Sequence, residues 1–143
     1  MTTTVSAETL DRWAVRYARI ALGAAFLSGI ASRFGLWGKG VGYGDFAHFM
    51  QYTGEVNSFM PAFTIPFLAW AATAAELLLG VGLIIGLWSR WVALGSAALL
   101  FLFGVAMAIS FGLKSPLDYS VFSASAAALL LALHPSRSPL ETS

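Results

Sequence analysis

From Ala62 to Trp88 the chain carries a single ionisable side chain, Glu76. As a helix rising about 1.5 Å per residue, a run of this length crosses the roughly 30 Å hydrocarbon core of a bilayer. In lipid every backbone polar group must be satisfied internally, so a spanning segment is either a helix or part of a closed barrel. The run reads as a membrane-spanning helix. Near its middle stands a carboxylate. On insertion scales such a group costs on the order of 2.5–3.5 kcal/mol at the bilayer centre, and it usually turns toward a bundle interior or a partner.

The remainder of the chain agrees with a membrane setting. Of its 143 residues 58% are hydrophobic and 10% charged, with a mean hydropathy of +0.76. Soluble domains carry roughly 25% charged residues, so this chain lacks the polar surface to face water. The net charge of +1 and the absence of a basic tract give no footing for nucleic acid. Without cysteine there is no disulfide, thiolate metal site or dithiol chemistry.

Four spans follow from the apolar runs and the turn signals between them, all within one membrane domain, residues 1–143. They are placed at about 13–32, 61–87, 91–112 and 117–133. The last is near the lower limit of about 17 residues for a crossing. A cluster of glycines (Gly35, Gly38, Gly40, Gly42, Gly44) follows the first span; Trp88–Ser89–Arg90 and Lys114–Ser115–Pro116 follow the second and third. Read instead as a secretory signal, the first span has the wrong flanks, because Glu8 and Asp11 spoil the basic start. Gly23, Ser28 and Gly29, with Gly80, Gly82 and Gly86 in the second span, are small residues of the kind that let helices approach closely in lipid.

The segment at about 45–60 is more than a connector. Phe46, Phe49, Met50, Val56 and Met60 recur close to a helical stripe behind an Asp45 N-cap, with His48, Tyr52 and Glu55 on the other face. The expected fold is therefore all-α: an integral membrane four-helix bundle with an extra interfacial amphipathic helix between spans 1 and 2. Arg12, Arg16, Arg19, Arg90 and Arg137 fall on one side of the membrane and Arg33, Lys39 and Lys114 on the other. The bias puts both termini in the cytoplasm and the chain in the cytoplasmic (inner) membrane. Trp13, Tyr17, Trp88 and Trp91 would form an inner aromatic belt; Phe34, Trp37 and Tyr119 would form an outer one.

Glu76 is the first candidate for a site. Counted from the aromatic belt, Arg19 lies about 9 Å into the first span and Glu76 about 18 Å into the second. A long arginine side chain nearly closes that gap, so the expected partner of Glu76 is Arg19, in a pair that either ties two helices or receives a ligand. Otherwise Arg16 and Arg19 snorkel to the headgroups, and Glu76 is protonated and bonded to Thr73, Ser123 or Ser125. The outer side gathers secondary candidates: Arg33, Asp45, His48, Lys114 and Asp118. Asp45 and His48 share a helix face, but spacing fixes no third ligand and no metal site is assigned. Lys114 and Asp118 read as a solvated pair. An intrinsic haem would need two facing histidines, and His48 and His134 lie at opposite ends. No phosphate loop, nucleotide fingerprint or catalytic triad stands in the sequence, and no residue is assigned a catalytic role.

The stretch Ala75–Glu76–Leu77 followed by Gly80, Gly82, Gly86–Leu87 and Ser89–Arg90 resembles the second-helix signature of DoxX-like membrane proteins. Arg19, Leu22–Gly23, Phe26–Leu27 and Gly29 resemble that family's opening helix. The likeness continues through Phe46–Ala47–His48–Phe49 and Pro116–Leu117–Asp118–Tyr119–Ser120–Val121–Phe122, and so covers nearly the whole chain. One departure is Arg33, where many relatives carry lysine. The resemblance implies a four-helix protein of the cytoplasmic membrane, linked to sulfur or thiol oxidation and to quinone, with eukaryotic relatives that assist receptor assembly.

Three functions are weighed. The first is an accessory subunit of a quinone- or redox-linked membrane complex. It has no intrinsic cofactor, with a quinone as an external one, and its partners are the bilayer, another membrane protein or redox partner, and further copies of itself. The second is a non-catalytic assembly factor for another membrane protein. The third, a small transporter, lacks an internal inverted repeat and would need an oligomer.

Overall fold

The computed structural model describes residues 4–135, and among them the secondary structure is entirely helical. Arg137 and the rest of the tail lie outside the described residues. Helix α1 (Ala7–Arg33) begins two turns before the expected span. Ser6 caps it, accepting from Thr9 N–H at 3.2 Å, and Glu8 in its first turn suits the helix dipole. Helix α2 (Phe46–Val56) starts at an Asp45 cap that accepts from His48 N–H at 2.8 Å. A short 3₁₀ turn, Ala62–Thr64, leads into α3 (Ile65–Ile85), with proline in its first turn where no N–H is needed. Helix α4 (Ser89–Phe111) follows after a tight corner.

The fourth span differs from expectation. It is split into α5 (Lys114–Asp118) and α6 (Val121–Leu133), with Ser120 left-handed at φ 54° between them. At 1.5 Å per residue α6 is about 20 Å long, short of the roughly 30 Å core. Among the described residues three helices can cross a membrane by length and apolarity, Ala7–Arg33, Ala62–Ile85 and Ser89–Phe111, and α6 is a shorter apolar helix. Helices α3, α4 and α6 are apolar all round: the side chains they turn outward include Phe67, Leu78, Leu102, Ile109 and Leu130. That pattern suits hydrocarbon rather than water.

Helices α1 and α3 pack closely against each other, as do α4 and α6; α3 also meets α4 and α1 meets α6. Small residues set both close pairs. A Cβ on Gly23 would sit 2.8 Å from Ile84 and 2.9 Å from the Gly80 carbonyl oxygen, and one on Gly80 would press on Leu27 and Phe26. In the second pair the Phe122 ring occupies the place of a Gly104 side chain, and Ser125 donates to the Ala97 carbonyl at 2.7 Å. Leu22, Phe26, Leu83, Ala97 and Ala128 form the shared core.

Helix α2 closes one end, packing on α3, α4 and α1. Phe49, Thr53 and Val56 are buried, while His48 and Glu55 are exposed. Tyr52, expected on the polar face, is half-buried, because it stands three residues after Phe49 and four before Val56 and so shares their face. The loop before α2 folds back on the end of α1. Trp37 Nε1–H donates to the Ser28 carbonyl and hydroxyl at 3.1 Å, and Tyr43 N–H donates to Ser32 Oγ at 2.8 Å. Gly42, at φ 63°, lies against Ser32 Oγ, where a Cβ would collide with that acceptor. At the opposite end His134 Nε2 lies 2.8 Å from Asp11 Oδ1 and ties the end of α6 to the start of α1.

Candidate functional site

Glu76 is buried on the face of α3 that meets α1, and its partner is Arg33 rather than Arg19. Arg33 Nη2 donates to both carboxylate oxygens at 2.8 Å, and Nη1 donates to Thr73 Oγ1 at 2.8 Å. The Thr73 hydroxyl passes its own hydrogen to the Ala69 carbonyl at 2.8 Å, so it is used as donor and acceptor together. Thr73 and Glu76 are three residues apart and share a helix face, a spacing visible in the sequence.

The expected Arg19–Glu76 pair fails on register. Gly23 against Gly80 and Ile84 places the last turn of α1 level with Thr73 and Glu76. Arg19 stands about 21 Å from Arg33 along the helix, beyond side-chain reach of Glu76. Its Nε donates to the Leu83 carbonyl at 3.0 Å and its Nη2 to the Ile84 carbonyl at 3.4 Å. These carbonyls belong to the last turn of α3, which has no intrahelical donors for them, so Arg19 caps that helix. Gly86, left-handed at φ 85°, leaves room for the guanidinium, which occupies the place of a Cβ.

Arg33 is only 4% exposed, although the charge pattern put it among outer-face residues. The reason is that α1 ends below the level at which α3 begins, and α2 and the glycine loop fill the space above it. The Arg33 Cζ lies 3.7 Å from the centroid of the Phe49 ring, a close cation–π contact. Around Phe49 the aromatic rings form a continuous layer. Phe49 meets Tyr43 and Phe46 edge-on, Phe46 stacks on Trp70 at 4.2 Å, and Tyr43 leads through Tyr52 to Phe111. Burial pushes the Tyr43 phenol up to about 12, reinforced by Tyr52 and opposed by the Arg33 charge. Burial also raises the Tyr52 phenol, with Tyr119 adding to it. One polar atom in this centre is unfilled: Arg33 Nε is buried without a hydrogen-bond partner.

The other outer candidates do not join this centre. His48 Nδ1 lies 2.8 Å from Asp45 Oδ1 on the exposed side of α2. The His48 N–H and ring hold the Asp45 carboxyl below its usual range. Among the described residues there is no group of three or more histidine, aspartate or glutamate side chains that could hold a metal ion. Lys114 and Asp118 pair one helical turn apart on α5, both exposed. The aromatic cover was partly legible: Phe46, Phe49 and Tyr52 repeat at three-residue intervals, which puts them on adjoining strips of one helix. Tyr43 and Trp70 carried no such signal, since only the folded loop and the packing of α2 on α3 bring them in.

No curated protein and no solved structure matches the chain. The family model for DoxX matches residues 14–133, from the second turn of α1 to the last residue of α6. With helices able to cross a membrane and Glu76 inside the matched segment, this chain belongs to the DoxX family.

Proposed function

We propose that the protein is a four-helix bundle of the cytoplasmic membrane, both termini cytoplasmic and α2 in the outer interface, serving as an accessory subunit of a quinone- or redox-linked complex. The observation that carries the reading is Arg33: a buried cation with its charge matched by Glu76, an aromatic layer over it, and one N–H still unfilled. A flat, apolar ring with a carbonyl acceptor has the chemistry to meet both parts. The ring stacks with Phe49 and its neighbours, and the acceptor takes the hydrogen of Arg33 Nε. A quinone head is such a ring, and its tail stays in lipid. The electron donor and acceptor belong to partner proteins, and the chain's part is to hold the ligand. The Arg33–Glu76 pair keeps α1, α2 and α3 together around it.

Adding a short-chain ubiquinone analogue to protein in nanodiscs checks this. A ligand at a hundred times its Kd stabilises by about 2.7 kcal/mol, so the melting temperature should rise by several degrees. In Phe49→Leu, which keeps bulk but removes the ring, the rise should be smaller. If neither the wild type nor Glu76→Gln shifts at saturating analogue, the quinone reading fails.

A further inference from the structure

At the end of the molecule away from α2, the first four turns of α1 carry a second set of charges. Arg12, Arg16 and Arg19 recur at intervals of four and three, which puts them on one helix face. They line a cavity of about 300 Å³ between the start of α1 and the end of α6. Arg12 and Arg16 also border a smaller hollow of about 200 Å³ with Thr9 and Trp13. Two guanidinium groups therefore stand between two concavities. Arg16 lies over the Trp13 ring with 5.5 Å to its centroid, and Arg19 is fixed by the α3 carbonyls. With five N–H groups, Arg19 has donors to spare after those two bonds.

The charge balance favours an anion. Glu8 and Asp11 also line the cavity, but the three guanidinium groups outnumber the two carboxylates, and Asp11 is engaged by His134. The depth favours a lipid. Trp13, Tyr17, Trp88 and Trp91 are all exposed at this end, and amphipathic rings of this kind settle at headgroup level. A cationic concavity at that level faces the phosphates of its own leaflet.

We infer that the hollows around Arg12 and Arg16 form a site for the phosphate of an anionic phospholipid, drawn from the surrounding bilayer. The lipid bridges α1 to the end of α6, the shortest apolar helix, at the one end where α2 gives no cover. Arg12 and Arg16 bind the headgroup, whereas Arg19 serves mainly as the cap of α3.

The test is native mass spectrometry of protein released from nanodiscs of phosphatidylcholine containing a minority of phosphatidylglycerol, read beside melting temperatures. Wild type should retain phosphatidylglycerol with about tenfold enrichment, the effect expected of one to two headgroup-level arginines. R12Q/R16Q should lose that enrichment while melting as wild type does in phosphatidylcholine alone; R12K/R16K should keep most of it. Should the glutamine variant fold poorly, wild-type enrichment must still fall as salt rises, because the attraction is screened. Inorganic phosphate is the second arm. A melting shift with phosphate in detergent, without lipid enrichment, would assign the site to a soluble phosphorylated ligand and overturn the lipid. Equal enrichment in wild type and R12Q/R16Q, or none in wild type, overturns it as well.

Discussion

A carboxylate and a guanidinium taken from water into a low-dielectric interior each lose several kcal/mol of hydration, and only close pairing with further hydrogen bonds returns it. Arg33 and Glu76 meet that condition almost completely, with both carboxylate oxygens and the Thr73 hydroxyl engaged and one arginine nitrogen left over. Removing one member should therefore cost far more than removing both. Glu76→Gln leaves the arginine charge buried and should lower unfolding free energy in mixed micelles by about 3–5 kcal/mol. The double change Arg33→Met with Glu76→Leu replaces the pair by apolar bulk and should cost less than Glu76→Gln alone. A double variant less stable than Glu76→Gln would contradict this account. Arg33→Lys keeps a donor for the carboxylate but loses the flat contact with Phe49, so its cost should fall between wild type and Glu76→Gln.

Among the elements, the close pairing of α1 with α3 decides which residues meet, and glycines set its register. Gly23 faces the Gly80 backbone carbonyl, which cannot move aside as a flexible side chain can. Gly29 has room, since its Cβ would lie 3.6 Å from Glu76 Oε2, an ordinary contact. The two positions therefore predict opposite outcomes for the same substitution. Gly23→Ala should destabilise by about 1–3 kcal/mol through overpacking. Gly29→Ala should be neutral or stabilise by up to about 1 kcal/mol, as glycine in a helix interior is entropically costly. Unfolding curves for both variants in one detergent settle it, and equal losses would remove register as the explanation. The break between α5 and α6 is also an element-scale feature. The apolar run continues across Ser120, whose left-handed backbone stops the helix without a glycine or proline at that position to announce it.

For the whole molecule, the two ends differ in kind. One end is closed by α2, the glycine loop and their aromatic layer; the other holds the start of α1 with its arginine face, the end of α6 and two open hollows. On the topology proposed above, the second end faces the cytoplasm. Because the chain has no cysteine, single cysteines report their side without interference. Ser89→Cys at the start of α4 and Lys114→Cys at the start of α5 should react with an impermeant maleimide from opposite sides of the membrane, Lys114→Cys from the outside in intact cells. Labelling of Ser89→Cys alone would invert the topology and move the proposed lipid site to the other leaflet.

Much of this molecule was settled by the sequence. Hydropathy and helix length accumulate residue by residue along the chain, so the membrane setting, the long helices and the aromatic ends follow without knowing any contact. Caps act locally too, and Asp45 announces α2 before any packing is considered. The partner of Glu76 was not settled in this way. It depends on how far one helix slides along another, and that offset is fixed by Gly23 against Gly80 and Ile84, a close approach between residues far apart in the chain. Tertiary structure then turned Arg33 from an outer-face charge into the buried partner, assigned Arg19 to the carbonyls of α3, and brought Phe49 over the pair.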